Sequence, residues 1–522
     1  LLSGRPVPTA SIAVGFSFLM AMFRRRREQG TRPRALSFNS AVMMQSSFPA
    51  AVNMIDPLIN ATLTLQRAPS KEQMVQMLTK LKTFDRFMAV PTRGRGGCFM
   101  ERQEVDIEAH LIWDKCADGQ AAWRRVEEVI LTPLSIDKTA SPWWEIVVIQ
   151  PENGDQTIIL FRIHHIIGDG ISLVQAMNTV FSDANGEAVD ISMPGLSSSR
   201  RRARPSILTL TYRFFRDLVH CAALAKSSFD SMLAFTAQDK RRMLYTGNRK
   251  IIFFPNVELE FIKQLKNGLN VTVNDIMLGA VAGAILRYCK QMDDPVLKRA
   301  EARAQRGMSS SRRSEQGEDG EMLLSGLLMR ALVPVAVPRE SPASDEEVGA
   351  SLRNRWAFAS VKLPMNSGTA KARAKEANAT MNGIKQSLVI PIQIWLQNHL
   401  LANSPRFFIN DTCYDTFKRH SMVFSNVPGP TFPVYVAGQR VTGIQMIFPN
   451  LIAQVGIISY DGQVGFNMVL DDNVVKNPDL LRQAYVQELR DLAQAAGVEF
   501  PEAIALRSEK PAGLGLLSGE AL

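Results

Sequence analysis

Side chains that form disulfides or bind metals are scarce in this sequence. Its 522 residues include five cysteines and six histidines. The cysteines are odd in number, widely separated and never arranged as CxxC, which fits neither a disulfide framework nor a zinc site. We therefore predict no metal and expect reduced thiols in a cytosol-facing protein. The cysteines are Cys98, Cys116, Cys221, Cys289 and Cys413.

A strong charge of one sign is also missing. Sixty Lys and Arg residues against 50 Asp and Glu residues give a net charge of +10, spread over the whole chain. Aromatic residues make up only 7% and are not interleaved with the basic ones, so we predict no nucleic-acid binding. The apolar share of 46% is enough for large cores. This length predicts two or three domains, or one large two-lobed enzyme.

No apolar run reaches the ~20 residues that span a bilayer. The longest candidate, residues 10–23, is closed by the arginines 24–27. It is a possible membrane anchor that would keep the body in the cytosol, a cleaved secretory signal, or a disordered, organelle-targeting or untranslated-region artefact. We predict a leader over 1–40, a first lobe over 41–195, a basic crossover with an amphipathic helix over 196–249, a second lobe over 250–500 and a tail over 501–522.

Helical and strand patterns alternate in the first lobe. A helix is predicted over 70–83, with Ser70 as its N-cap. The β-branched runs 144–150 and 157–163 flank a turn-rich segment and predict a hairpin. The second run leads directly into His164, and helical spacing follows over 171–181.

The second half begins with an amphipathic helix pattern over 207–235. Residues 272–290 predict a buried helix rich in small side chains. The charged stretch 293–322 predicts a surface insertion, and strands are expected at 331–337, 357–363 and 455–470. A final helix is expected with Asn477 as cap and Pro478 in its first turn.

The strongest candidate for chemistry is the segment HHIIGDG, from His164 to Gly170. Consecutive side chains on a strand face opposite sides, so one histidine faces a cavity while the other packs. A neutral imidazole is a natural general base near neutral pH. The glycines are expected to allow a sharp turn that brings Asp169 back towards the histidine or an arginine. A packed histidine pair beside a simple turn is the alternative reading.

Several segments resemble the bifunctional wax ester synthase/diacylglycerol acyltransferase family, which carries HHxxxDG. Residues 141–145 (SPWWE) resemble its PLW-E segment, with Trp143 in place of Leu. Asn274 and Asp275 match its ND motif, and residues 425–430 (SNVPGP) match its NVPGP block. Residues 333–335 and Asn354-Arg355 resemble its VPVS and GNR segments, although the Gly before Asn354 is missing. The resemblance covers about 43–493.

The resemblance implies an α/β fold of two lobes, each with a mostly antiparallel mixed sheet, around a central substrate tunnel. It implies an O-acyltransferase that joins an acyl group from acyl-CoA to diacylglycerol or a long-chain alcohol, with acyl-CoA as co-substrate and no further cofactor. The expected partner surface is a membrane or lipid droplet, with the body on the cytosolic side of the endoplasmic reticulum. The implied catalytic residues are His165, His164, Asp169, Gly170 and Asn274, and the implied substrate-binding residues are Trp144, Asn426, Pro428 and Gly429.

Other readings stay open at this stage. We expect direct transfer with His165 as base, and a covalent route would need Ser172 or Cys289 as nucleophile. Asn274 is a candidate donor to the acyl carbonyl or, equally, a buried cap of its own helix. A condensation-type enzyme with a carrier-bound donor, or a catalytically silent lipid-surface protein, are the alternative functions. The arginines 200–204 are expected to meet lipid head groups or CoA phosphates, or to be a solvated linker.

Overall fold

Two mixed β-sheets with helices packed on them form two lobes. The computed structural model describes residues 36–44, 56–94, 97–191, 206–236, 238–239, 242–243, 246–309, 324–337 and 345–509. Most of the predicted leader, the arginines 200–204 and the end of the predicted tail lie outside these residues. The predicted α/β fold of two lobes with mixed sheets is confirmed, and the central substrate tunnel stays a prediction.

The first sheet has six strands in the order β14-β15-β1-β6-β5-β4, numbered along the chain. Only β4 and β5 run parallel, and the other neighbours are antiparallel. The strands are β1 (Leu58–Leu65), β4 (Leu111–Cys116), β5 (Trp144–Pro151), β6 (Thr157–His164), β14 (Tyr435–Val436) and β15 (Gln439–Ile447). A separate ribbon joins β2 (Ala89–Gly94) and β3 (Gly97–Arg102).

Strands β14 and β15 correct the predicted domain division, since they come from the second half of the chain. Strand β15 pairs with β1, with Asn60 opposite Ile447 and Thr64 opposite Gly443. The pairing covers an edge of the first sheet that would otherwise expose its backbone groups. The range 250–500 is therefore not one uninterrupted lobe.

The second sheet follows the order β10-β17-β16-β13-β11-β12, and β9 also pairs with β17. Strand β13 runs parallel to both β11 and β16. The strands are β9 (Arg249–Phe253), β10 (Val257–Glu258), β11 (Arg330–Ala336), β12 (Trp356–Lys362), β13 (Met422–Pro428), β16 (Ala453–Tyr460) and β17 (Gln463–Asp471), and a two-residue ribbon joins β7 (Gln238–Asp239) to β8 (Arg242–Met243).

Helices pack on both sheets. Those before the second lobe are α1 (Phe38–Met44), α2 (Lys71–Thr79), α3 (Gly119–Ile130), α4 (Gly170–Val180) and α5 (Ile207–Ala223). The later ones are α6 (Leu259–Leu269), α7 (Val273–Gln291), α8 (Pro295–Ser309), α9 (Asp345–Gly349), α10 (Ala370–Lys385), α11 (Val389–His399), α12 (Arg406–Phe417), α13 (Asp479–Ala496) and α14 (Glu502–Glu509). Single 3₁₀ turns occupy Lys80–Thr83, Asp85–Met88, Glu108–His110, Leu224–Lys226 and Leu401–Asn403.

Local sequence signals predicted several of these elements correctly. Ser70 caps α2 by accepting from the amide of Gln73, whose side chain accepts in turn from the Ser70 amide. The predicted hairpin is β5–β6. The predicted buried helix is α7, in which every residue from Asp275 to Leu286 is buried.

Four predicted boundaries are wrong. Helix α5 ends at Ala223 rather than Phe235, because Asp230 is held in an irregular segment by Arg330, at 2.7 Å. The predicted insertion forms α8 over 295–309, with Leu297 buried in the core. Helix α13 begins after Pro478, and the left-handed backbone of Asn477 (φ 49°) prevents it from capping. Helix α1 crosses the predicted leader boundary at residue 40.

No single helix among the described residues is long and apolar enough to cross a membrane. Helices α6 and α7 pass that criterion only as a pair, and they meet at an angle of 93°.

Candidate active site

The HHxxxDG segment connects β6 to α4. His164 is the last residue of β6, and α4 begins at Gly170. The backbone amide of His165 donates to the carbonyl of Pro57 at 2.9 Å, just before β1. The turn is therefore anchored at the end of the first sheet. The two histidine side chains have different surroundings, as predicted, but His165 lies in the turn after β6 and not on the strand.

The His164 side chain is part of the core. It is fully buried, its Nδ1 accepts from the amide of Ile166 at 3.1 Å, and the edge of its ring meets Trp143. Burial lowers its pKa well below 6.5, and the nearby Lys138 and His165 act in the same direction. A neutral side chain that supports the turn is what this environment favours.

The His165 side chain is only partly buried and has a defined partner. Its Nδ1 lies 2.9 Å from Oδ1 of Asn354. The amide nitrogen of Asn354 is occupied by donation to the backbone carbonyl of His165 and to the hydroxyl of Ser40, at 3.0 Å for the latter. Its oxygen therefore faces the imidazole, so Nδ1 carries the proton. This tautomer leaves the lone pair of Nε2 available as a base.

Asn354 is the site residue that the sequence reasoning missed. It lies 189 positions from His165 along the chain and is buried. The only signal in the sequence was its match to the family's GNR segment. A neutral side chain that orients a histidine performs the task that a carboxylate performs in a catalytic triad.

Two more residues tie this turn to distant segments. Arg86 donates from Nη1 to the carbonyl of Ile166 at 2.7 Å and to the hydroxyl of Ser40 at 3.2 Å. Ser40, fully buried in α1, thus contacts both Arg86 and Asn354. Helix α1, whose first residues fall in the predicted leader, therefore supports the site.

Asp169 is structural in its contacts. It caps α4, with Oδ1 accepting from the amide of Ser172 at 3.0 Å, and its Oδ2 accepts from the amide of Arg355 at 2.9 Å. The bond from Arg355 comes from its backbone amide and not from its guanidinium, so a tie between Asp169 and an arginine side chain stays a prediction. The carboxylate also supports the positive form of His165 electrostatically.

The two glycines act differently from the prediction, because neither has a positive φ. At Gly168 a Cβ atom would lie 2.8 Å from Cβ of Ser172, so close approach of the turn to α4 requires glycine. At Gly170 a Cβ atom would have Val427 Cγ2 as its nearest neighbour, at 3.9 Å. Gly170 therefore lies beside the second lobe without strain.

The environment of His165 is largely apolar. Its ring lies 5.9 Å from that of Trp356 and 5.8 Å from that of Phe448, between centroids. Burial lowers the pKa of His165 below 6.5, while Asp169 and the bond to Asn354 oppose that shift. The imidazole is consequently neutral near pH 7 and can accept a proton.

Asn274 and Asn426 face each other across the second lobe. Nδ2 of Asn426, on β13, donates to Oδ1 of Asn274, at the start of α7. Asn274 is exposed and is not the cap of its helix, a role taken by Thr272 together with Asp275. The reading of Asn274 as a buried cap is therefore wrong, and its contact with substrate stays a prediction.

Strand β13 brings these residues towards the HHxxxDG turn. Val427, next to Asn426, is the residue that approaches Gly170. Pro428 is exposed at the end of β13, and a Cβ on Gly429 would lie 2.2 Å from the carbonyl oxygen of Ser459. Glycine is required there by packing, while a role of Pro428 and Gly429 in substrate binding stays a prediction.

Trp144 is placed differently from the prediction. It is fully buried, donates from Nε1 to the carbonyl of Phe87 at 3.0 Å and stacks on His110 at 4.2 Å. Its side chain belongs to the core of the first lobe, so the geometry does not support a contact with substrate. The hairpin pairing turns it inward, which the motif alone does not reveal.

The residues considered for a covalent route are poorly suited to it. The hydroxyl of Ser172 is buried and lies 2.8 Å from the carbonyl of Arg353, to which it donates. Cys289 is buried in α7, and burial raises the pKa of its thiol to about 12. Neither provides an accessible, activated nucleophile.

A metal-dependent arrangement is not visible in the part of the chain that the structure describes, where no three His, Cys, Asp or Glu side chains form a possible metal site. A pocket of about 310 Å³ lies near the far end of β1, between β15 and β17, and includes Gln66, Tyr460 and Gly465. His165 is anchored at the opposite end of β1, so this pocket does not hold the reacting atoms.

Two family models match the chain. The wax ester synthase/diacylglycerol acyltransferase catalytic domain matches residues 50–277, and the WS/DGAT C-terminal domain matches residues 352–493. A putative diacylglycerol O-acyltransferase of Mycobacterium tuberculosis is 24% identical over 381 residues, which cover 68% of this chain and 73% of that protein. Wax ester synthase/diacylglycerol acyltransferase 5 of Arabidopsis thaliana is 23% identical over 75% of this chain and 80% of its own.

Solved structures show the same fold. The wax ester synthase/diacylglycerol acyltransferase of Marinobacter aquaeolei VT8 has a TM-score of 0.56 at 17% identity, covering 89% of this chain and 100% of that one. A starter condensation domain of rhizomide synthetase, solved with C8-CoA, has a TM-score of 0.54 at 11% identity, covering 93% and 96%. The chain therefore belongs to the wax ester synthase/diacylglycerol acyltransferase family and is an acyltransferase.

Proposed function

We propose that the protein transfers an acyl group from acyl-CoA directly to the hydroxyl of a neutral-lipid precursor, with His165 as general base. The observation that carries this mechanism is the bond between Asn354 and Nδ1 of His165, at 2.9 Å. It fixes the tautomer in which Nε2 can accept the hydroxyl proton. The lowered pKa of His165 keeps that atom unprotonated at neutral pH.

The step conserves charge and protons without a covalent intermediate. Nε2 of His165 takes the proton of the acceptor hydroxyl, and the oxygen attacks the thioester carbonyl. When the tetrahedral intermediate collapses, the carbon–sulfur bond breaks, and the imidazolium returns the proton to the CoA thiolate. An ester and free CoA result, and no further cofactor is required.

The proposed acceptors are diacylglycerol and long-chain alcohols. The relatives carry the names of diacylglycerol O-acyltransferases and wax ester synthases. The aromatic side chains of Trp356 and Phe448 beside His165 suit apolar chains and keep water from the thioester. We further propose that Asn274 and Asn426 donate to polar substrate atoms, which the exposed position of Asn274 and the half-buried position of Asn426 permit.

We propose that the enzyme works at the endoplasmic reticulum membrane or at a lipid-droplet surface, with its body towards the cytosol. The acceptors are insoluble in water, so they must be drawn from a lipid phase. The exposed apolar side chains of helix α5 support this location.

A product assay tests the function. Labelled palmitoyl-CoA is supplied with diacylglycerol, with hexadecanol or with neither, and the lipids are separated. Labelled triacylglycerol or wax ester is expected only with the matching acceptor. Release of free palmitate at the same rate in all three mixtures would show a hydrolase and contradict the proposal.

A further inference from the structure

Helix α5 exposes a continuous apolar stripe. The exposed fractions are 83% for Leu208, 68% for Tyr212, 59% for Phe215 and 66% for Val219. These positions are four, three and four residues apart, so they share one face of the helix. A helix that is apolar on its outward face normally has a non-aqueous partner.

The opposite face holds α5 firmly against the protein. Leu210, Phe214 and Leu218 are half-buried on that side. Asp217, the only buried residue of the helix, accepts from the backbone amide of Leu388 at 2.7 Å, just before α11. This anchoring fixes the rotation of the helix, so the outward stripe cannot turn inward.

The sequence around α5 is rich in basic residues, which suits an anionic partner. Residues 200–226 contain seven Arg and Lys residues, and their only acidic residue is the buried Asp217. Two of the seven are in ion pairs, Arg216 with Asp217 at 2.7 Å and Lys226 with Asp415 at 3.0 Å. A second copy of this chain would carry the same excess of positive charge, which disfavours it as the partner. Anionic phospholipid head groups carry the opposite charge, and each basic residue near such a surface contributes attraction. The arrangement is that of an interfacial helix.

We propose that α5 docks the enzyme on an anionic phospholipid surface, with Leu208, Tyr212, Phe215 and Val219 inserted among the acyl chains. The docking extends to α12, where Phe407 and Phe408 are 69% and 47% exposed. Helix α12 is tied to the 3₁₀ turn that follows α5 by the ion pair between Lys226 and Asp415, at 3.0 Å. The neighbouring helices thus present apolar side chains to the same lipid phase.

A line of contacts links this surface to the catalytic turn. Helix α11, which packs against α5, donates from Gln393 to the carbonyl of Phe358 at 2.8 Å. The ring of Phe358 lies 4.8 Å from that of Trp356, which neighbours His165. A lipid acceptor would pass along the rings of Phe358 and Trp356 to reach His165, and this route rests on the proposed function. The binding of α5 to lipid does not depend on the proposed reaction.

Flotation with vesicles tests the docking. The full chain is mixed with vesicles of phosphatidylcholine alone or with added phosphatidylserine, and the bound fraction is measured. Leu208→Gln/Phe215→Gln should lower the partition coefficient on the order of tenfold or more, because two inserted apolar side chains are lost. The matched control is Leu506→Gln/Trp113→Gln, which changes exposed apolar residues elsewhere and should bind as the unaltered protein does.

A second variant tests the contribution of charge. In it, four arginines are changed to Gln: Arg200, Arg201, Arg202 and Arg204. Binding to phosphatidylserine vesicles should fall strongly at low salt and less at high salt, since salt screens the attraction. Light scattering after size exclusion gives the molar mass of each protein and tests whether a second copy of the chain covers α5 instead of lipid. A dimer that Leu208→Gln/Phe215→Gln converts to a monomer would overturn the proposal, and so would equal flotation of this variant and the control.

Activity separates the two proposals. Transfer to a short, water-soluble alcohol is measured without vesicles, and transfer to diacylglycerol is measured in vesicles. The α5 variant should retain the first and lose most of the second. A chain that binds vesicles but forms no ester with any acceptor contradicts the proposed reaction alone. An active chain that never floats contradicts the docking and the proposed location, and leaves the proposed reaction standing.

Discussion

The side chains of the catalytic turn and those of helix α5 differ in where they find their partners. Arg86 and Asn354 both bond to the turn that carries His165, and Ser40 of α1 accepts from each of them. Along α5, the outward apolar groups remain exposed to solvent. The polar contacts of the turn are completed within the chain, whereas the apolar side chains of α5 are left for a partner that the proposed docking supplies.

The largest expected effect separates the two adjacent histidines of the turn. His165→Gln should lower kcat by on the order of 10²-fold or more, because it removes the base. His164→Gln should retain more activity but unfold at a lower temperature, because His164 is fully buried. Steady-state kinetics and thermal melting of both variants check this. Comparable activity of His165→Gln and the unaltered enzyme would end the proposed mechanism.

Asn354 provides the next test, as a positioning residue. Asn354→Leu should lower kcat by roughly 10 to 10²-fold with little change in KM, because the imidazole loses its orientation. Asn354→Asp should instead raise the pKa of His165, since a carboxylate would face its Nδ1. The acid limb of the pH profile should then move upward, a shift that a purely structural role of Asn354 would not produce.

The contacts of Asp169 predict an effect mainly on stability. In Asp169→Asn an amide group replaces one of two acceptor oxygens that meet backbone N–H groups, from Ser172 and Arg355. Leaving one such donor unpaired costs about 1–3 kcal/mol. Chemical denaturation should show that loss, with a smaller loss of rate. A fully stable but inactive variant would place Asp169 in the chemistry instead.

The pH dependence follows from three histidines whose pKa values are lowered in the folded protein. The pKa values of His164 and His165 are lowered in the folded protein, and that of His420 falls to about 4, mainly through burial. The unfolded chain therefore binds more protons below pH 6.5, so stability is full above that pH and falls as acid is added. The acid limb of kcat/KM should likewise lie below pH 6.5. A limb above pH 6.5 would contradict the neutral, desolvated His165.

The smallest expected effect concerns the stability of the exposed stripe. Phe215→Gln should change the free energy of unfolding by less than about 0.5 kcal/mol, because its ring is already in water. Phe161→Gln, in the core beside β1, should cost several times more. Equal losses of unfolding free energy in the two variants would mean that Phe215 packs against the protein in solution. The side chains of α5 would then not differ from those of the core.

Local patterns in the sequence predicted much of the fold. The Ser70 cap, the β5–β6 hairpin and the buried helix α7 depend on interactions within a few residues or on composition, so they can be read directly. The segment from His164 to Gly170 was visible for the same reason. Strand alternation also predicted different surroundings for the two histidines, although His165 lies in the turn after β6 and not on the strand.

The predictions that were wrong concern segments whose structure depends on contacts between residues far apart in the chain. Arg330 ends the helical pattern after α5 by binding Asp230, and the hairpin turns Trp144 into the core. The pairing of β15 with β1 transfers a piece of the second half to the first sheet. None of these contacts leaves a trace in the local spacing of the residues.

By itself, the sequence determined the motif that offers a base, the strand and helix that flank it, and the family that the motif combination resembles. Only the tertiary structure decided which atom of His165 is free, because Asn354 reaches it from 189 residues away. It also decided which face of α5 stays in water, because Asp217 binds the amide of Leu388. Propensity acts between neighbours along the chain, whereas a tautomer and an exposed face are set by whatever the fold brings into contact.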